Sequence, residues 1–261
     1  MTVSPLLAAA LEAAEAAAAE IRRAYRGQFA VETKADASPV TEVDIAAEGV
    51  IKAVLKQHFP DHGFYGEELG REAGDGEHLW LIDPIDGTKS FVRGYPMFST
   101  QIALMKRGEL VLGVSSAPCW DGALGEVVYA ERGLGAWCDN QRLSVSTVDT
   151  FGKATLSTGN LARLANSEAW GRLGTLIPQL HRIRGYGDFL HYHLLASGRI
   201  DAIVESDVNI LDIAALSVIV GEAGGRFTDL EGRPLGLATT SVCAATPALH
   251  PQLLAALRWT A

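Results

Sequence analysis

Three short stretches of the chain gather carboxylates in a pattern suited to hard cations. Gly66-Glu67-Glu68 stands just before a Gly-containing loop. Trp80-Leu81-Ile82-Asp83-Pro84-Ile85-Asp86-Gly87-Thr88 carries a hydrophobic strand into two aspartates. Leu211-Asp212-Ile213-Ala214-Ala215 puts a further aspartate in the first turn of a predicted helix. Asp83 is expected at the strand's end, held extended by the proline that follows it. A turn beyond Pro84 would bring Asp86 alongside and leave the Ile85 carbonyl free as another oxygen donor. Hard cations such as Mg²⁺ take oxygen ligands, usually a few carboxylates together with waters and phosphate oxygens. Carboxylates crowded together without a cation cannot all stay ionised, so the pattern makes physical sense only with cations bound. Gly87 would let a phosphate approach the backbone N–H groups of the turn. The Thr88 hydroxyl is a natural partner for an attacking water, and Lys89 either adds positive charge or points to solvent.

Each stretch also has a plainer reading. Asp44 fits the N3 acid of a capping box opened by Thr41, and Asp212 fits the same station behind Asn209, where the helix macrodipole favours it. Asp83 to Gly87 also fits an ordinary strand-to-turn junction, and Glu67-Glu68 a surface acid pair. The joint occurrence of all three stretches in this order favours the cation reading.

The elements that must position these groups follow from local signals. Ser4-Pro5 before an Ala-rich run reads as an N-cap and a proline opening a long helix. A loop around Lys34, Asp36, Ser38 and Pro39 follows, and the helix begun at Thr41 should stop by Pro60. Strands are expected at Leu79–Ile82, Ser99–Met105, Val111–Ser115 and Glu126–Ala130, forming an antiparallel sheet. After about Thr150 strands alternate with helices. The strands there are Ala154–Ser157, Ala202–Val204 and Ser241–Ala244; the helices are Ser167–Gln179, Asp188–Ser197, Ile210–Ala223 and Ala248–Trp259. The boundary near 150 divides an α+β half, residues 1–150, from an α/β half, residues 151–261, sharing one rigid interface.

Composition limits the rest. With 261 residues, 48% of them apolar, the chain can bury a substantial core. A formal net charge of −9 argues against a sequence-independent grip on nucleic acid or anionic lipid. The three cysteines, Cys119, Cys138 and Cys243, form no CxxC pair, which points to a reducing cytoplasm and away from a zinc ribbon or disulfide framework. The apolar start from Leu6 to Ala19 is broken by Glu12 and Glu15 and lacks a basic lead, so no signal sequence or membrane span is expected. Gly185-Tyr186-Gly187 lacks the third glycine of a dinucleotide fingerprint, and the run from Gly113 to Ala117 is no nucleophile elbow. Pro60 separates His58 from His62, and His191 and His193, two apart on a helix, diverge, with one of them a candidate for the pocket wall.

Taken together, Gly66-Glu67-Glu68, the Trp80–Thr88 stretch ending in Phe91, and Asp212-Ile-Ala-Ala ahead of Glu222-Ala-Gly-Gly resemble the inositol monophosphatase superfamily. The resemblance implies a layered α-β-α-β-α sandwich, dependence on two to three Mg²⁺ per site, sensitivity to Li⁺ and a homodimer. It further implies that Glu67, Asp83 and the Ile85 carbonyl bind a first metal, that Asp83, Asp86 and Asp212 bind a second, and that a looser third sits near Glu67. Thr88 with Asp44 matches the pair that positions the nucleophilic water, and Gly87 and Thr88 match the phosphate contacts. The implied reaction is direct hydrolysis of a small phosphomonoester, with no phosphoenzyme. Leu211 departs from the tryptophan usual in the third motif, which bears on the pocket wall. Arg184-Gly185-Tyr186-Gly187-Asp188-Phe189 and Pro96-Met97-Phe98-Ser99-Thr100 look like the histidinol-phosphate phosphatase branch. In that branch Asp188 and Glu205 would face the alcohol moiety, with Asp207 a weaker third. Asp188 also fits an N-cap for the helix that follows. Inositol monophosphate, a broader set of sugar or nucleotide phosphates, and a catalytically inactive phosphate-binding role are the alternatives.

Overall fold

The computed structural model describes residues 3–33, 39–122 and 125–259. The expected loop at Lys34, Asp36 and Ser38 lies outside the described residues. Helix α1 (Pro5–Ala24) opens as its sequence dictates, with the Ser4 hydroxyl accepting the Leu7 N–H at 3.1 Å. Its buried stripe is built from Ala9, Ala10, Ala13, Ala14 and Ala17, small side chains that let it lie close against α2 (Glu42–His58). Between these helices β1 (Val31–Thr33) and β2 (Pro39–Thr41) form a short antiparallel ribbon.

The larger sheet contains β3 (Gly63–Gly66), β4 (Gly70–Glu72), β5 (His78–Asp86), β6 (Ser99–Lys106), β7 (Glu109–Ala117), β8 (Glu126–Glu131), β9 (Gly135–Cys138) and β10 (Gln141–Arg142). Its order is β10-β9-β8-β7-β6-β5-β3-β4. A short helix, α3 (Thr88–Val92), follows β5. The smaller sheet contains β11 (Thr155–Thr158), β12 (Arg182–Arg184), β13 (Ala202–Ser206), β14 (Arg226–Thr228) and β15 (Ser241–Ala245), in the order β12-β11-β13-β15-β14. The remaining helices are α4 (Ala162–Ala165), α5 (Ala169–Leu176), α6 (Asp188–Ala196), α7 (Ile210–Glu222) and α8 (Leu249–Leu257).

The layers run α1/α2, larger sheet, α6/α7, smaller sheet, α5/α8. Three apolar clusters fill the four junctions: Ile51, Trp80 and Leu104 in the first, Tyr192, Ile219 and Val220 on both sides of α6/α7, and Leu173, Val204 and Leu253 in the last. This is the layered α-β-α-β-α sandwich the resemblance implies. Helix α7 is apolar nearly all round because both sheets cover it, as a helix buried on every side must be. It presses closest at Gly113 on β7, where an added Cβ would lie 2.7 Å from the Ala215 Cα.

Two features of the larger sheet depart from the sequence reading. The sheet is not wholly antiparallel, because β3 pairs with β5 in parallel. Strand β5 does not end at Asp83 but runs on through Pro84 to Asp86. Pro84 is tolerated there because the ladder is already broken by an irregularity between Asp83 and Asp86.

Candidate metal centre and active site

In a regular strand, residues three apart point to opposite faces. Asp83 pairs with Gln101 and Asp86 with Ser99, so three steps along β5 match two along β6. That extra residue is a bulge, and it returns Asp86 to the side of the sheet that Asp83 occupies. The bulge is pinned from both sides: the Thr100 hydroxyl donates to the Pro84 carbonyl at 2.8 Å, and the Ile85 N–H donates to Asp83 Oδ1 at 3.0 Å. The expected turn is therefore a bulge inside a strand. The Ile85 carbonyl accepts the Thr88 hydroxyl at 3.0 Å, which leaves its second lone pair for another partner.

Other elements complete the cluster. The parallel ladder sets Gly66 beside Ile82, and the Glu67 N–H extends it by donating to the Ile82 carbonyl at 3.1 Å. This puts Glu67 next to Asp83, close enough for its carboxyl to push that of Asp83 up. Asp212 arrives from the opposite side on α7. Asp83, Asp86 and Asp212 each offer an oxygen, and these lie within 4.8 Å of one another. They line a cavity of about 500 Å³ together with Glu67, Gly87 and Thr88. Gly87 has φ of +90°, and an added Cβ would meet the Met97 carbonyl oxygen at 2.6 Å, so only glycine fits.

Asp44 and Asp212 both take the capping station expected of them, and each also reaches the groups of the cluster. Asp44 Oδ2 accepts the Thr41 N–H at 2.8 Å in a full capping box, while Oδ1 lies 3.3 Å from the Thr88 hydroxyl. Asp212 Oδ2 accepts the Asn209 N–H at 2.8 Å in a second capping box, while its carboxylate also joins the cluster.

The electrostatics of the cluster suit a cation. Burial pushes the Asp83 carboxyl well above its ordinary range, and the charges of Glu67, Asp86 and Asp212 push it further. Asp86 is raised likewise by burial, then by Asp188 and Asp212. Asp212 is pushed up to about 7 by burial, against the Asn209 N–H, with Glu67, Glu205 and Asp188 adding to the rise. Burial raises Asp44 as well, opposed by its bonds to Thr41. An all-oxygen set whose members repel one another fits a hard divalent cation, which would remove the repulsion.

The expected specificity residues divide. Asp188 lines the cavity. It is the first residue of α6, Gly187 holds the cap position, and no side-chain cap bond forms there, so the helix-cap reading of Asp188 does not apply. Its φ is +45°, a left-handed conformation that aspartate tolerates better than most residues. Burial and the neighbouring Glu205 push its carboxyl up to about 6, against His191 and Lys89. Glu205 lies behind the wall, not on it: Oε1 takes the Asn160 N–H at 3.0 Å and Oε2 the Tyr192 hydroxyl at 2.7 Å. Its carboxyl sits below the usual range despite burial, chiefly because of His191, whose Nε2 is 3.2 Å away but off the line of a hydrogen bond. Asp207 lines the cavity, with Oδ2 engaged by the Arg163 N–H and the Ser206 hydroxyl. Lys89 lines it too.

Neither histidine of α6 reaches that cavity. His191 turns to Ser157 of the smaller sheet, and His193 bonds Ser115 and Glu126 of the larger one, the divergence expected from their spacing. Leu211 is buried in the middle core and is not part of the cavity wall. A second group, His62, Asp75 and His78, also has ligand atoms within 4.8 Å of one another. Its imidazoles are stacked at 4.2 Å and 10°, so their in-plane lone pairs run side by side and do not converge, and His62 Nδ1 already accepts the Trp80 indole N–H.

The protein-family comparison matches the inositol monophosphatase family over residues 2–261. The chain belongs to the inositol monophosphatase family. It is 40% identical over 232 residues to a histidinol-phosphatase of Mycobacterium tuberculosis, covering 87% of each chain. It is 36% identical over 206 residues to an inositol-1-monophosphatase of Rhizobium meliloti, covering 77% of this chain and 76% of that one. Among solved structures, the extragenic suppressor protein suhB of Bartonella henselae superposes with a TM-score of 0.89 at 30% identity, over 99% of this chain and 100% of that one. Within this family member, sequence reasoning passed over Glu48, Tyr95 and Asn160. Tyr95 and Asn160 line the cavity, and Glu48 bonds the turn that carries Glu67. The missed signal for Glu48 is its spacing of four from Asp44, which puts both on one face of α2.

Proposed function

We propose that the chain hydrolyses a small phosphomonoester with Mg²⁺, two to three ions per site, and that its substrate is L-histidinol phosphate. The observation that carries the first part is the convergence of Asp83, Asp86 and Asp212 beside the Thr88–Asp44 pair in one cavity. Glu67, Asp83 and the Ile85 carbonyl would hold one ion, Asp83, Asp86 and Asp212 a second, with a looser one near Glu67. Bound Mg²⁺ would neutralise the phosphate oxygens, acidify the attacking water and stabilise the leaving alkoxide.

The chain's own groups do the orienting. Thr88 directs its proton toward the Ile85 carbonyl and Asp44, which leaves its oxygen lone pairs to accept a hydrogen from the attacking water. Asp44, fixed through Oδ2 by the capping box, holds Thr88 in that rotamer. Gly87 and Thr88 offer backbone N–H groups to the phosphate, and the absence of a side chain at Gly87 allows a close approach. Asp188 is the carboxylate available to the ammonium of histidinol, since both oxygens of Glu205 are engaged behind it. Similarity to a histidinol-phosphatase over most of both chains supports this substrate.

The test is kcat/KM measured with Mg²⁺ on L-histidinol phosphate, inositol monophosphate and glycerol phosphate. Preference for histidinol phosphate supports the reading. Preference for inositol monophosphate replaces the substrate and leaves the phosphatase reading standing.

A further inference from the structure

We propose that Glu48 of α2 is a positioning residue that fixes the direction in which Glu67 faces the cavity. The proposal rests on the reading of Glu67 as a cation ligand.

Glu48 is wholly buried, at 0% exposure. A carboxylate so placed must be satisfied, and its partners lie on its own helix and in one turn. Oε2 accepts the Glu68 N–H at 2.7 Å and Oε1 the Leu69 N–H at 3.1 Å. Lys52, one helical turn further along α2, places Nζ 2.9 Å from Oε1 and donates to the Gly70 carbonyl at 3.4 Å. Glu67 is therefore gripped on both sides. Its own N–H is tied to Ile82 of β5, and the next residues are tied to Glu48. Beyond them the turn leads into β4, which pairs antiparallel with β3 and so sets the far end of the turn but not the Glu67–Leu69 segment itself.

Gly66 gives an independent sign of the same arrangement. A Cβ built there would lie 1.7 Å from Glu48 Oε1 and 2.3 Å from its carboxyl carbon. Gly66 is not among the glycines with positive φ, so the backbone conformation does not demand glycine. What demands it is room for the Glu48 carboxylate. The Gly66-Glu67-Glu68 motif is thus completed by a residue eighteen positions upstream of Gly66. Asp44 and Glu48 share a face of α2, so one helix sets both the Thr88 hydroxyl and the Glu67 turn. Displacing a ligand by a fraction of an ångström weakens a metal site, and outer-shell partners typically matter about 10- to 100-fold in affinity.

The experiment compares wild type with Glu48→Gln, with the double variant Glu48→Gln/Lys52→Met, and with Gly66→Ala. The double variant avoids leaving a buried lysine unpaired, and Gly66→Ala displaces Glu48 without altering it. Mn²⁺ binding is followed by titration calorimetry without substrate, and thermal unfolding is followed in EDTA. The expected result is Mn²⁺ affinity about 10- to 100-fold weaker in the folded variants, with kcat at saturating Mn²⁺ nearer to wild type than the rate at low Mn²⁺. Wild-type Mn²⁺ affinity in the folded double variant and in Gly66→Ala would overturn the proposal while leaving the cation site intact. Loss of folding in all variants makes Glu48 a structural residue and overturns it too. Failure of the wild type to bind Mn²⁺ removes the cation reading of Glu67, and this proposal with it.

Discussion

Asp44 and Asp212 occupy the same station on two different helices: each is the N3 residue of a capping box and holds its N-cap N–H through Oδ2 at 2.8 Å. The box fixes the carboxylate plane, so each aspartate meets the site with its rotamer already set. For Asp44 the oxygen left over faces Thr88. For Asp212 the carboxylate meets Asp83 and Asp86.

Substitutions at Asp44 should separate the two duties. Asp44→Asn keeps an oxygen for the Thr41 N–H and should unfold near the wild-type temperature. Asp44→Ala loses the box and should cost about 1 kcal/mol of stability. Both should lower kcat, measured by phosphate release. Equal stability of the two variants would contradict the double role.

Thr88→Ala should lower kcat by about 10²–10⁴-fold with a smaller change in KM, because water orientation matters chiefly in the transition state. A variant with unchanged kcat and raised KM would make Thr88 a phosphate contact only.

Asp188→Asn preserves the left-handed backbone, since asparagine also tolerates positive φ. It should reduce kcat/KM on L-histidinol phosphate by roughly ten- to a hundredfold, the value of a charge-assisted hydrogen bond. Glycerol phosphate, which has no ammonium, should be hydrolysed as before. Equal losses on both substrates would remove Asp188 from substrate recognition.

Much of this site is legible in the sequence, and the rest is hidden for identifiable reasons. Capping boxes, the Pro-opened helix α1 and the long strands β6 and β7 follow from local patterns. Strands as short as β4 and β10 carry too few residues to show an alternation. The bulge in β5 depends on pairing with β6, which no local signal encodes. Glu205 has the residue type of a substrate contact, yet Tyr192 and Asn160 claim it from distant elements. Those contacts exist only after the smaller sheet has assembled.

The raised carboxyls give a pH dependence with a definite sign. Asp212 titrates near 7 in the folded chain and at about 3.8 when unfolded, so between those values the folded state binds more protons. Metal-free stability from this group is complete below the unfolded value and is lost as pH rises through the folded one. In EDTA the unfolding temperature should therefore carry a falling contribution between about pH 4 and pH 7. Mg²⁺ should raise the unfolding temperature more at the upper end of that range. A Mg²⁺ gain independent of pH would contradict the assignment of Asp212 to the cation site.

Phosphate release from L-histidinol phosphate by the wild-type protein and by Asp83→Asn, each assayed in Mg²⁺ and in EDTA, tests the central claim most directly. Asp83 lies between Glu67 and the Asp86–Asp212 pair, so the whole cation arrangement turns on it. The expected result is turnover by the wild type in Mg²⁺, none in EDTA, and none in either for Asp83→Asn, although that variant remains folded. Wild-type turnover that survives EDTA, or full activity in a folded Asp83→Asn, would contradict the account.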